Sequence, residues 1–187
     1  MKRIIFSILS IFMSASVIAD ISYNYLQVSF ADMGDAEAEA LNFQGSYEVA
    51  ESVFVFAEYS DGEFDDMPVD SDNVQLGVGT HTSINDNTDF VFALSYIDAE
   101  IEGLGETIDV DGYRLGVGII SEISENIEVQ ANFFRDDLDA DSNINGSFSE
   151  TDTSWNVQAR FGITDQVKVN FILAEYDVVA LGFRLDI

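Results

Sequence analysis

The sequence predicts an all-β chain: one up-and-down antiparallel transmembrane β-barrel of ten strands, with eight as the alternative count, short periplasmic turns and longer acidic extracellular loops. Three observations predict it. Segments of about ten residues alternate apolar and polar side chains with period two, the signature of a strand with one greasy and one polar face. After residue 19 no long apolar run remains, so any crossing of a bilayer must be made by strands, and strands satisfy their backbone in lipid only as a closed barrel. Acidic residues gather in every second connection, while the basic residues fall on the polar phase of the strands.

Residues 1–19 read as a secretory signal peptide that is cleaved: Lys2 and Arg3, an apolar run from Ile4 to Met13, then small residues up to Ala19. Residues 20–187 form the barrel domain. The whole chain carries a formal charge of −28, and removal of Lys2 and Arg3 leaves 5 basic residues against 35 acidic ones, −30. Such a chain repels nucleic acid and anionic lipid surfaces, so nucleic acid is excluded as a partner. Without cysteine there is neither a disulfide framework nor a thiolate metal site. The single proline, Pro68, falls in an expected loop, where its missing N–H costs no ladder bond.

Taken in order, the segments lie at about 22–31, 40–49, 52–60, 73–82, 88–98, 110–120, 126–135, 153–162, 166–175 and 178–187. Tyr113, Leu115, Val117 and Ile119 alternate with Gly112, Arg114, Gly116 and Gly118, and after a six-residue break Ile127, Val129, Ala131 and Phe133 alternate with Glu128, Gln130 and Asn132. Outward faces of the same kind run through Leu41, Phe43 and Tyr47, through Phe90, Phe92, Leu94 and Tyr96, and through Val179, Leu181, Phe183 and Leu185. The first and third segments leave two phases open, because Tyr23 and Tyr25 oppose Leu26, Val28 and Phe30, and Phe54 and Phe56 oppose Val53, Val55 and Tyr59. Short breaks near 50–52, 83–87, 121–125 and 163–165 alternate with longer acidic ones at 32–39, 61–72, 99–109 and 136–152. Short turns and long loops in strict alternation fit a barrel with both termini periplasmic.

The inward phase carries Glu48, Glu58, Asp89, Arg114, Glu128, Arg160, Lys168 and Arg184. A buried charge is costly unless paired, so these eight are expected to form a lumenal ion-pair and hydrogen-bond network.

The tail Gly182, Phe183, Leu185 and Ile187 resembles the C-terminal signal read by the barrel assembly machinery, with isoleucine where an aromatic residue is usual. The chain as a whole resembles the small OmpA/OmpX-like outer-membrane barrels of Gram-negative bacteria. In 54–60, 86–96 and 111–118 it is more similar to the elicitor-type family of small barrels first described in xanthomonads. The resemblance implies residence in the bacterial outer membrane among lipid and lipopolysaccharide, contact with the assembly machinery during biogenesis, and no enzymatic activity.

The sharpest local motif is a calcium-loop spacing: Asp141, Asn143, Asn145, Gly146 and Ser147, with Asp152 in the place of the usual bidentate glutamate. Calcium needs six or more oxygens, and this spacing supplies oxygen donors. No other cofactor is expected. His81, the only histidine, would need a serine and an orienting carboxylate to act as a catalytic base, and the sequence aligns none with it. Gly116-Val117-Gly118 lacks the strand-to-helix context of a phosphate loop. The expectation is therefore a non-enzymatic barrel with a plugged, ion-paired lumen and a structural or surface-interaction role, its extracellular ligand unknown; the alternative is a narrow cation-selective pore.

Overall fold

The computed structural model describes residues 22–34, 38–64, 68–103, 105–124, 126–175 and 177–187. The signal-peptide reading of residues 1–19 falls outside them. Ten strands follow one another: β1 Tyr25–Met33, β2 Ala38–Ala50, β3 Val53–Phe64, β4 Val69–Asn85, β5 Thr88–Gly103, β6 Glu106–Ser124, β7 Ile127–Ser142, β8 Gly146–Gly162, β9 Val167–Ala174 and β10 Val178–Asp186. Each pairs antiparallel with its neighbours in sequence, and β1 pairs with β10 from Tyr25↔Asp186 to Met33↔Val178, which closes the barrel at ten strands. Closure leaves no edge whose N–H and C=O groups would face lipid unpaired.

Burial alternates residue by residue along every strand, so the phase of each is fixed. In β1 and β3 the ambiguity resolves the same way. Leu26, Val28 and Phe30 point outward with Val53, Val55 and Tyr59, whereas Tyr23, Tyr25, Phe54 and Phe56 fill the interior. These interior rings have room because the facing strand is bare: a Cβ built at Gly77 or Gly79 of β4 would fall inside the rings of Phe56 and Phe54. Glycine on β4 is thus the counterpart of an aromatic layer that includes Tyr23, Phe134 and Ile120.

At the end where β1 begins and β10 finishes, the connections are tight, with Glu51-Ser52 joining β2 to β3 and Asp86-Asn87 joining β4 to β5. Ser52 takes a left-handed φ of 65°, and bulges at Glu48/Ala50, Ser83/Asn85 and Glu122/Ser124 draw the ladders into these turns. The opposite end departs from the sequence-based expectation. Most of the described residues in the stretches read as long acidic loops are strand: β4 to β8 run 17, 16, 19, 16 and 17 residues, against 9, 8 and 9 for β1, β9 and β10. β7 and β8 stay in register up to Ser142↔Gly146, and β5 and β6 up to Gly103↔Glu106. The extra length lies beyond the outward aromatics Tyr59, Tyr96, Tyr113 and Trp155.

Polarity inverts at that aromatic level. Below it the outward residues are apolar and exposed, a belt that demands hydrocarbon. Above it Asp98, Glu100, Glu102, Asp109, Asp111, Asp137, Asp139 and Asp141 face outward, while Ile97, Ala99, Ile101, Ile108, Val110, Leu138 and Ala140 pack inward as one cluster. A second apolar cluster on the shorter wall joins Ala31, Met33, Ala38, Ala40, Ile172, Ala174, Val178 and Ala180. Each tall strand therefore passes from a lipid-facing hairpin to a water-facing one without breaking its alternation.

Candidate functional site: the barrel lumen

All eight charged residues singled out on the inward phase face the lumen, but they do not form one network. The structure divides them among three clusters and one isolated carboxylate.

At mid-height, Arg114 of β6 and Asp136 of β7 are directly opposite in the ladder and form a bidentate pair, Nε to Oδ1 at 2.6 Å and Nη2 to Oδ2 at 2.7 Å. Two parallel N–H···O bonds match the guanidinium fork. The Phe134 ring lies 5.2 Å from the guanidinium carbon and covers it. Asp136 falls within the stretch read as a loop, and continuing the inward phase of β7 from Glu128 through Gln130, Asn132 and Phe134 would have found it.

Nearer the turns, Glu128 bridges Arg160, its partner across the β7–β8 ladder, and Lys168, whose Nζ lies 3.0 Å from Glu128 Oε2. Lys168 also reaches Asp186 at 3.1 Å, and Asp186 accepts from Arg184 Nε at 2.5 Å. The Arg160 Nη2 group donates to the amide oxygens of Gln130 and Gln158, both at 2.6 Å. Arg184 stacks 3.9 Å over Tyr25 and donates through Nη2 to the Ser22 carbonyl at 2.7 Å, tying the segment before β1 into the mouth. Asp186 is a second member the sequence reading missed, since it ends the last strand. A recess of about 410 Å³ opens at this end, lined by Glu128, Arg160, Lys168, Asp186, Asn126 and Thr164.

The third cluster surrounds His81. Its Nδ1 lies 3.3 Å from Asp89 Oδ2 and its Nε2 3.9 Å from Glu48 Oε1. The Tyr23 ring stacks on the imidazole at 4.0 Å and on Phe54 at 4.8 Å. The histidine is held by carboxylates and a ring, not aligned on a serine.

Glu58 stands apart: Asn42 Nδ2 donates to its Oε1 at 2.8 Å, and no described residue forms an ion pair with it. Arg114, Arg160 and Arg184 are at most 1% exposed, and Gln75, Gln158 and Asn170 likewise. Side chains lining an open aqueous pore would be accessible to water along their length.

The calcium-loop residues are not brought together. Asp141, Asn143, Asn145 and Ser147 surround a tight hairpin tip, but Asp152 pairs with Asp136 while Asp141 pairs with Ser147, five rungs away, roughly 17 Å along the strand. An odd number of residues between Ser147 and Asp152 would keep one face; the offset of five reverses it, so Asp152 turns inward while Asp141 and Ser147 turn outward. The tip satisfies itself instead. Ser147 donates its hydroxyl to Asp141, Asn143 Oδ1 accepts from the Thr107 N–H at 3.1 Å, and Glu106 accepts from Asn145 Nδ2 at 2.6 Å and Ser142 Oγ at 2.5 Å. The Ser142 hydroxyl and the Asn145 amide hold the Glu106 carboxyl below its usual value. Among the described residues no three His, Asp or Glu side chains are gathered as a metal site.

No family model and no curated protein matches the chain. Solved structures do. The KdgM porin superposes with a TM-score of 0.52 at 9% identity, covering 87% of this chain and 99% of that one. The translocator domain of the autotransporter NalP from Neisseria meningitidis superposes with a TM-score of 0.51 at 11% identity, covering 86% of this chain and 84% of that one. The fold is that of the bacterial outer-membrane β-barrels, as the strand pattern predicts. At such identities the likeness extends to the fold alone.

Proposed function

We propose that this chain is a small integral outer-membrane barrel with a closed, ion-paired lumen and a structural or surface-interaction role, presenting its acidic hairpins outside the cell. The observation that carries the reading is the burial of Arg114, Arg160 and Arg184 on the inner wall, each tied to a carboxylate of its own or the adjoining strand and each at most 1% exposed. A ten-stranded barrel is only slightly wider than the eight-stranded kind that side chains just fill, so long inward Arg and Glu side chains take up much of the interior. The stack of Tyr23 on His81 and Phe54 supports closure at the periplasmic mouth. The barrel neighbours by name are a porin and a translocator domain.

The competing reading, a narrow cation-selective pore, differs in one measurable property. Purified barrel in planar bilayers is expected to give no stable single-channel steps. Cation-selective steps that disappear in Glu128→Gln, with the variant still heat-modifiable on gels, would establish the pore instead.

A further inference from the structure

The inner wall of β2, β3 and β4 carries a polar patch three strands wide and two rungs tall. Asn42 lies opposite Ser60, and Ser60 opposite Asn73; Gln44 lies opposite Glu58, and Glu58 opposite Gln75. Residues directly opposite have Cβ atoms about 5 Å apart, so the side chains of the two rows meet. Every one is buried: Glu58 at 3%, Asn73 at 6%, Gln75 at 0%.

The donors and acceptors of this patch do not balance. Asn42 donates to Glu58 Oε1, and Gln75 donates through Nε2 to Ser95 Oγ at 2.8 Å. Glu58 Oε2, Gln75 Oε1 and both amide atoms of Asn73, Oδ1 and Nδ2, are left without a hydrogen-bond partner among the described protein atoms. Three buried oxygens and one amide N–H thus lie unpartnered on neighbouring rungs, so acceptors outnumber donors. Buried polar atoms are satisfied in nearly all proteins, and an exception calls for an unshown partner.

Charge leads to the same place. The opposite charge whose field reaches Glu58 is that of Arg114, and Arg114 is already engaged bidentately by Asp136. With Glu58 ionised, Arg114, Asp136 and Glu58 together carry one negative charge in excess, deep inside the barrel. An isolated carboxylate in such a place costs several kcal/mol unless something positive joins it. A positive partner that also satisfies carboxamide and carboxylate oxygens, with no nitrogen or sulfur donor, is a hard cation. One carboxylate among neutral carbonyl oxygens balances a single positive charge.

We propose that Glu58, Asn73 and Gln75, with the Ser60 hydroxyl between them, form a lumenal site for a monovalent alkali cation, Na⁺ or K⁺. The ion joins the β3–β4 hairpin through its inward side chains and neutralises Glu58. A binder of the folded state only raises stability with the logarithm of its concentration, which gives the site a signature separate from general screening.

The test is thermal unfolding of the purified barrel at fixed scan rate, in NaCl, KCl and N-methyl-D-glucamine chloride of equal ionic strength. The bulky organic cation screens the acidic exterior equally well and cannot enter the lumen. The midpoint is expected to be higher in Na⁺ or K⁺, to climb with the logarithm of its concentration at constant ionic strength, and to lose this dependence in Glu58→Gln. Asn73→Leu is expected to weaken the dependence, and heat-modifiable migration reports that both variants fold. In N-methyl-D-glucamine, Glu58→Gln should be at least as stable as the parent, because the surplus charge is gone. Equal midpoints in all three salts, or a Na⁺ or K⁺ effect that survives Glu58→Gln, would overturn the proposal. So would an infrared carboxylic-acid band at neutral pH in NaCl that Glu58→Gln removes, since the partner of Glu58 would then be a proton. None of these readouts depends on conductance, so the closed-lumen reading stands or falls separately.

Discussion

The bond between Arg114 and Asp136 shows how a charge survives inside a barrel wall. Both groups are almost wholly buried, and neither would be there without the other. Their partners are unequal, however, because Arg114 has Glu58 in reach as a second negative group while Asp136 relies on Arg114. Arg114→Met strands Asp136 and removes the positive field that reaches Glu58, and is expected to cost about 3–5 kcal/mol, the usual range for breaking a buried pair. Asp136→Asn leaves Arg114 facing Glu58 and is expected to cost clearly less. Urea unfolding followed by the fluorescence of Trp155, the only tryptophan, measures both. A cost for Asp136→Asn as large as that for Arg114→Met would show that Glu58 does not share the arginine.

At this scale the sequence was informative about direction and silent about partners. Alternation put Arg114, Glu128, Arg160 and Arg184 on the inner phase, because a one-residue slip would send every apolar side chain to the wrong face. Partner choice depends on ladder register, and register is set by turns and bulges whose offsets alternation does not encode. The phases of β1 and β3 stayed open for a different reason. Both faces of those strands are apolar, and for β3 the bare glycines directly opposite on the adjoining β4 reveal which face carries the rings.

Among the elements, the tall hairpins are where the sequence reading and the structure part. Acidic composition suggested loops, yet Ile97, Ala99 and Ile101 keep alternating with Asp98, Glu100 and Glu102, and the period was unbroken in the sequence. What changed was which phase is polar. The consequence is a ladder of like charges: Asp61, Asp72, Glu100, Asp109 and Asp141 lie in one row, each directly opposite the next on the adjoining strand. Like charges so placed destabilise a sheet. Glu102 and the Asp109 and Asp72 carboxylates raise the pKa of Glu100. A raised folded-state value means stability fully present below the unfolded value and lost as pH rises through the folded one. Glu106 at the tip has the opposite sign: its lowered value confers stability present above the unfolded value and lost as pH falls through the folded one. Amide hydrogen exchange across 98–111 should therefore slow as pH drops from neutral toward the ordinary carboxylate value of 4.5, after correction for intrinsic rates. It should slow also as salt rises from about 0.01 to 0.15 M, where the screening length falls from about 30 to 8 Å. Exchange in 90–95, within the apolar belt, should change with neither. Protection across 98–111 that is indifferent to salt would mean that the inner apolar cluster alone sets the stability of these hairpins.

For the whole molecule, the question is where the bilayer ends on a wall whose strands run on past it. The inversion of polarity fixes the boundary on β5 between Tyr96, last of the outward apolar series, and Asp98, first of the acidic one. Tyr96 packs edge-on against Tyr113 at 5.6 Å, an amphipathic pair of the kind that sits at an interface. Cysteine labelling can locate the boundary without background, since the chain has no cysteine of its own. In proteoliposomes or intact cells, Asp98→Cys and Glu100→Cys are expected to react with a membrane-impermeant maleimide. Leu94→Cys should resist it because it faces hydrocarbon, and Ala93→Cys because it faces the packed interior, where the native residue is 1% exposed. Denaturation should make all four react, which confirms that each cysteine is present. A single charge on the belt supplies the energetic counterpart: Leu94→Arg should cost about 2–4 kcal/mol if the residue lies near the midplane, and far less nearer the interface. Reaction of Leu94→Cys in folded barrel would place this row in water and move the boundary toward the turns. Reaction of Ala93→Cys with Leu94→Cys protected would instead mean that the lumen admits a solute, and the closed interior would have to be given up.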